Sequence, residues 1–255
     1  MAKVNYISVA KKAAAVQISE LKKINKIFDK SFIQAIEFMA NCKGKVITAG
    51  IGKSGLIARK VSATLSSVGI SSFFLNPSEA NHGDLGQIDK RDLLLVFSYS
   101  GNTAEIANML KYANRFNIKV IGVASKKDSL LLKASDVKIL LPQVKESDPT
   151  GLVPTTSTSI TLLLGDCLAV ALMNKMRFSK ERFKVFHPGG NIGQTLLLVK
   201  DIMIIGSKLP KININKSIYD ATKIIDQKKL GLVVVMEKNQ IKGILTDGDA
   251  RRGIK

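Results

Sequence analysis

The chain has no tryptophan, only 5% aromatic residues, and two each of cysteine and histidine. Cys42 and Cys167 lie far apart, which excludes a disulfide framework or a cysteine-rich metal site and fits a reduced, cytoplasmic compartment. Scarce aromatics remove the stacking platforms that single-stranded nucleic acids use. Acids are few as well, 20 against 39 Lys+Arg, for a net charge of +19. That excess is spread along the chain: 7 basic and 3 acidic residues in 1–42, 20 and 11 in 43–199, 12 and 6 in 200–255. No basic tail stands out, and 32 of the 39 cations are Lys rather than the Arg that base-reading surfaces favour. Nucleic acid is therefore not expected as a partner, while a general attraction for anionic metabolites remains. Unbroken apolar runs are also missing. The best candidate, residues 157–173, is interrupted by Gly165 and Asp166, and Lys11 and Lys12 fall where an export signal needs its apolar stretch. No membrane association is expected.

What is present is globular composition, 45% hydrophobic over 255 residues, enough for one large domain or two smaller ones. Apolar residues at helical spacing through 7–41 predict one or two amphipathic helices. Short apolar strands are expected at 45–49, 71–75, 93–98, 119–124 and 137–141. Between them lie a glycine-rich turn at 50–55 and helices near 56–68 and 103–115. A polar loop, 142–154, then leads to a long helix near 157–175. This alternation predicts an α/β fold, a parallel five-stranded sheet covered by helices. From about residue 200 the pattern changes to a β-α-β-β-α unit. The expected divisions are an N-terminal helical segment 1–42, a main domain 43–199 and a small α+β unit 200–255.

Several motifs sit where such a fold collects its ligands. Gly50-Ile51-Gly52-Lys53-Ser54-Gly55 follows a strand and precedes a helix, a turn that lets backbone N–H groups meet a phosphate. A dinucleotide site would also need an acid some twenty residues on, and the first acid here is Glu79. A nucleotide P-loop would need glycine where Ile47 stands. A sugar-phosphate site needs neither. Ser98-Tyr99-Ser100-Gly101-Asn102-Thr103 offers hydroxyls at a second strand end, and Thr155-Thr156-Ser157-Thr158 repeats the pattern before the long helix; a simple capping role is the alternative for both. His82 and His187 lie beside glycine-containing loops, where catalytic groups concentrate. Glu146 lies in the polar loop and Glu105 on the first turn of its helix. A carboxylate with an imidazole suits proton transfer at neutral pH. Two isolated histidines do not make a metal site.

The segments GIGKSGLIARK, FFLNPSEANHGDLG, SYSGNTAEI, KESDPTGLVPTTSTS and HPGGNIG closely resemble the sugar isomerase (SIS) domain of arabinose-5-phosphate isomerases, in the same order and over about residues 8–255. The resemblance implies a three-layer SIS sandwich that interconverts D-ribulose 5-phosphate and D-arabinose 5-phosphate without a cofactor. Its product would feed 3-deoxy-D-manno-octulosonate and lipopolysaccharide synthesis. It further implies catalytic roles for Lys53, Glu105, Glu146 and His187 and a substrate contact for His82. Gly52, Ser54, Ser98, Ser100, Thr103, Thr155, Thr156 and Ser157 complete the expected substrate site. Active sites shared between subunits of a homo-oligomer, a dimer of dimers, are implied too. The family's C-terminal part carries two paired CBS motifs, of which one is expected here. Asn76 stands where the family often has a metal-associated histidine. A non-catalytic sugar-phosphate sensor, or an isomerase of another sugar phosphate, are the alternative functions.

Overall fold

The structure, a computed structural model, describes residues 4–187 and 198–253. The chain forms two compact units, Met1–Gly193 and Gln194–Lys255. In chain order the first contains α1 (Tyr6–Leu21), α2 (Lys30–Ala40), β1 (Val46–Ala49), α3 (Gly52–Ser67), β2 (Ser72–Leu75), α4 (Pro77–Ala80) and β3 (Leu93–Phe97). It continues with α5 (Ile106–Arg115), β4 (Lys119–Ala124), α6 (Leu130–Ala134), β5 (Val137–Leu140), α7 (Thr156–Lys175) and α8 (Lys180–Phe186).

The expected α/β architecture is present: five parallel strands in the order β2-β1-β3-β4-β5, with helices on both faces. Alternate residues of β3 divide between the layers. Leu93, Leu95 and Phe97 join the core made with α2, α3 and α7, while Leu94 and Val96 join that of α5 and α6. Both faces of these strands are buried, which is why they read as unbroken apolar runs. Each fully buried Leu or Ile contributes about 1.5–3 kcal/mol.

The chain order reverses direction across the sheet between β1 and β3. In open parallel sheets ligands collect at such a reversal, outside the carboxyl ends of the strands. The loops following β1, β3 and β5 all open there.

Two local readings need correction. Helix α3 starts at Gly52, not near residue 56, so Lys53, Ser54 and Gly55 occupy its first turn. The glycines are close-approach positions: a Cβ on Gly55 would lie 2.6 Å from the Gly50 carbonyl oxygen, and one on Gly50 would lie 2.8 Å from that of Phe97. Helix α1 turns inward the stripe Ala13, Val16, Gln17 and Glu20, leaving Ile7, Val9 and Ile18 exposed.

Helix α7 is long and apolar enough to cross a membrane on length and composition alone. Half of it is buried inside the unit. The residues that interrupt its apolar run attach it to α3. A Cβ on Gly165 would lie 2.3 Å from Val61 Cγ2, and Asp166 pairs with Lys60.

The second unit contains α9 (Val199–Ile202), β6 (Lys211–Asn213), α10 (Ile218–Lys228), β7 (Leu232–Glu237), β8 (Gln240–Thr246) and α11 (Asp247–Gly253). Strand β7 pairs parallel with β6 and antiparallel with β8. Ser217 caps α10 by accepting from the Asp220 amide at 3.1 Å. The buried core is small: Ile212, Ala221, Ile225 and Val233.

Candidate active site

A cavity of about 530 Å³ lies at the carboxyl ends of the strands. Its walls include Lys53 and Ser54 from α3, Ser98, Tyr99, Ser100 and Thr103 after β3, and Glu146 and Ser157 around the start of α7. Another cavity, of about 500 Å³, is lined by Phe38, Cys42, Arg91 and Leu93 near the opposite strand ends, away from these groups. Burial raises the Cys42 thiol pKa, so it is not an activated nucleophile.

The 98–103 turn is shaped by its glycine. Gly101 has φ +69°, and a Cβ there would fall 2.4 Å from Ser129 Cβ. The Gly101 amide donates to Ser98 Oγ at 3.1 Å, and the Ser98 and Thr103 hydroxyls are 2.9 Å apart. Asn102 Oδ1 accepts from the Leu130 amide at 2.9 Å, tying the turn to α6. Hydroxyl groups thus face the cavity from a rigid base, and among the described residues no carboxylate is bonded to them.

Glu146 is held differently. Its Oε2 accepts from the amides of Thr155 (2.8 Å), Thr156 (2.7 Å) and Ser157 (3.2 Å) and from the Thr155 hydroxyl (3.0 Å). These amides are the orphan donors of the α7 N-terminus, so Glu146 caps that helix from outside it. Burial raises its pKa, but the Ser157 hydroxyl and the Thr155 and Ser157 amides outweigh burial and hold it below the usual Glu value. Of the expected substrate donors at Thr155, Thr156 and Ser157, the three amides and the Thr155 hydroxyl are turned to the protein's own carboxylate. Ser157 lines the cavity, and Thr156 is fully buried outside its lining.

Other expected site residues lie apart. Glu105 is exposed and makes no side-chain capping bond; the regular helix begins after it, at Ile106, later than expected. His82 is exposed in the turn after α4, and its neighbour Asn81 reaches the Glu105 carbonyl at 3.5 Å. Neither Glu105 nor His82 is part of the cavity lining. His187 ends α8, stacked on Phe183 at 3.8 Å with Nδ1 2.9 Å from the Phe183 carbonyl oxygen. The adjoining Phe186 ring packs where a Cβ on Gly69 would go, beyond the C-terminus of α3. Lys53 lies at the other end of that 16-residue helix, about 24 Å away at 1.5 Å per residue. Within one chain His187 and Glu146 do not meet. Residues 188–197, which hold the rest of the HPGGNIG segment, lie outside the described residues.

Sequence reasoning does not single out Tyr99, although it sits inside the SYSGNT run. It lines the cavity, accepts from the Val144 amide at 2.9 Å and donates to the Pro142 carbonyl at 3.3 Å. It thereby fixes the start of the Glu146 loop. Asn76 caps α4, accepting from the Ser78 amide at 3.1 Å. Among the described residues no group of three or more His, Cys, Asp or Glu side chains is gathered as a metal site.

Residues 38–171 match the SIS domain family. The chain belongs to that family. It is 40% identical over 250 residues to the arabinose 5-phosphate isomerase KdsD of Escherichia coli K12, covering 97% of this chain and 76% of that protein. It is 39% identical over 253 residues to a probable arabinose 5-phosphate isomerase of Haemophilus influenzae, covering 99% and 74%. Among solved structures, the Escherichia coli CFT073 protein c3406 in complex with arabinose 5-phosphate superposes with a TM-score of 0.70 at 34% identity, covering 74% of this chain and all of that one. With these relatives the chain is a sugar-phosphate isomerase.

Proposed function

We propose that this enzyme interconverts D-ribulose 5-phosphate and D-arabinose 5-phosphate through a cis-enediol. The observation that carries the reading is the Glu146 carboxylate, fixed by four donors on one wall of a cavity whose other walls bear Lys53 and the hydroxyls of 98–103. The named activities of the KdsD relatives and the neighbour bound to arabinose 5-phosphate support the choice of pentose.

Aldose–ketose isomerisation moves a proton between C1 and C2 by way of an enzyme base and shifts the carbonyl; substrate and product are isomers, so no external electron acceptor enters. Ser98, Ser100 and Thr103 hold the phosphate. Anchoring that remote group turns its binding energy into positioning of the reacting carbons. Glu146, ionised at neutral pH, is one member of the acid–base pair and His187 the other. The Lys53 ammonium stabilises the enediolate as its charge develops. His82 serves the sugar hydroxyls or ring opening, and Glu105 belongs to the catalytic set by resemblance.

Because His187 is remote from Glu146 in one chain, we assign His187 to the site of a neighbouring copy in a homo-oligomer, a dimer of dimers. Exposed Tyr6, Ile7, Val9 and Ile18 on α1 offer apolar surface for such a contact. The β-α-β-β-α unit is read as a single CBS motif, and the product as feeding octulosonate and lipopolysaccharide synthesis in the cytoplasm.

The test is a cofactor-free assay with ribulose 5-phosphate, scored for arabinose 5-phosphate. Folded wild-type protein that forms no product overturns the reading. Glu146→Gln and His187→Asn should each be nearly inactive, yet refolding them together should restore about a quarter of wild-type turnover if each site draws on two chains. Strictly inactive mixtures would reject the shared site.

A further inference from the structure

The Glu146 carboxylate is the end of a chain of hydrogen bonds that begins on α1. Gln17 Nε2 lies 3.1 Å from Ser147 Oγ, Ser147 Oγ lies 3.0 Å from Thr155 Oγ1, and Thr155 Oγ1 lies 3.0 Å from Glu146 Oε2. The direction of these bonds follows from the far end. An ionised carboxylate only accepts, so the Thr155 hydroxyl must donate to it. That uses the hydrogen of Thr155, so the Ser147 hydroxyl must donate to Thr155. Ser147 can then only accept from α1, and the donor is the Gln17 amide. Gln17 Oε1 faces the Ser159 hydroxyl of α7 at 2.8 Å. Three polar side chains thus point their hydrogens one way, towards the carboxylate, and an amide that cannot reverse closes the row.

We propose that Gln17 is a positioning residue for Glu146: by donating to Ser147 it anchors the Ser147–Thr155 hydroxyl pair to α1 and so holds the Glu146 carboxylate in place for proton transfer. The inference rests on the isomerase reading for its kinetic consequence but not for its geometry. Gln17 occupies the inward stripe of α1, where an apolar residue would suffice for packing alone. Glu20, one turn on, reinforces the same attachment: its Oε2 accepts from the Lys145 amide at 2.9 Å, and Lys23 Nζ donates to the Gln143 carbonyl at 3.3 Å. Helix α1 and the turn that follows it therefore grip the loop on both sides of Glu146. Among the described residues the titratable groups near this loop include Lys53 and Tyr99 on the cavity wall, Asp148 within the loop, and Lys145, Glu20 and Lys23 at its edge.

The decisive measurement is the titration of the Glu146 carboxyl by ¹³C NMR in the full chain labelled at its seven glutamates, with the signal assigned by its loss in Glu146→Gln. Gln17→Met keeps the length of the side chain and removes the donor. Its Glu146 signal should titrate at higher pH than wild type, and Ser147→Ala, which cuts the row one link further on, should do the same. Turnover should fall about three- to tenfold in each with KM within twofold, and the double variant should be no worse than the poorer single one, since both cut the same row. An unchanged titration in folded Gln17→Met, or a shift in Gln17→Met without one in Ser147→Ala, overturns the proposal. If Gln17→Met does not fold, Ser147→Ala decides alone. An inactive wild type would reject the isomerase reading, and the titration would still decide this one.

Discussion

Between β3 and α5 the turn offers the hydroxyls of Ser98, Ser100 and Thr103 to the cavity, and the nearby Glu105 makes no capping bond. Between β5 and α7 the corresponding donors are already taken up by Glu146. The two turns occupy equivalent places in a parallel sheet and share the same hydroxyl-rich composition. One carries an anion of its own; the other, on the proposed reading, is left for an anion brought from outside. A cavity built this way keeps the proposed holding of the phosphate and the proposed proton transfer on different turns rather than in competition for one.

The strongest way to break this comparison is to remove the internal anion. Glu146→Gln should lower turnover about 10²- to 10⁴-fold, the usual contribution of a positioned acid–base group, with KM little changed. Near wild-type turnover would leave Glu146 as a cap alone. Next, Ser98→Ala or Thr103→Ala should raise KM roughly tenfold or more while turnover changes less, because a hydrogen bond to a charged group is worth about 1.5–3 kcal/mol. An effect confined to turnover would reverse the division of labour between the turns.

A smaller effect concerns folding. Glu146→Ala leaves three amides of α7 without their acceptor and should destabilise by about 0.5–2 kcal/mol, as other cap losses do. Added formate should recover part of the melting temperature of this variant more than that of wild type, by refilling the vacated helix end. The pH dependence gives the finest test. Hydrogen bonds depress the Glu146 pKa in the folded state, so its stabilising contribution is complete above the unfolded-state value near 4.5 and is lost as pH falls through the lower folded value. The stability difference between wild type and Glu146→Gln should shrink on acidification through that window. A constant difference would mean the carboxylate is not held as described.

How much of this can be read from residues alone follows from what each signal reports. The strands are legible because a sheet buried on both faces leaves apolar runs such as Leu93 to Phe97. The start of α3 reads too late because glycine spacing marks close approach as well as turns: Gly52, at φ +57°, turns the chain into the helix, while Gly55 serves inside it. Thr155 to Ser157 read as phosphate ligands because a hydroxyl run before a helix looks the same whether its donors are open or filled. What fills them lies nine residues upstream of Thr155, and no local pattern links the two. Gln17 stands in no motif, and the SYSGNT run that contains Tyr99 does not show what the ring does, since both act through contacts across more than forty residues. His187 is legible as a loop imidazole, but its distance from Glu146 is a property of three dimensions.

The seating of Glu146 on α7 also bears on how this enzyme can change. In many enzymes the residues that do chemistry are liabilities for the folded state, and replacing them yields a tougher, idle protein. Here the same carboxylate finishes the longest helix of the core. A search for heat-resistant variants should therefore pass over position 146, and lineages drifting away from catalysis should keep an acceptor there after the chemistry has gone.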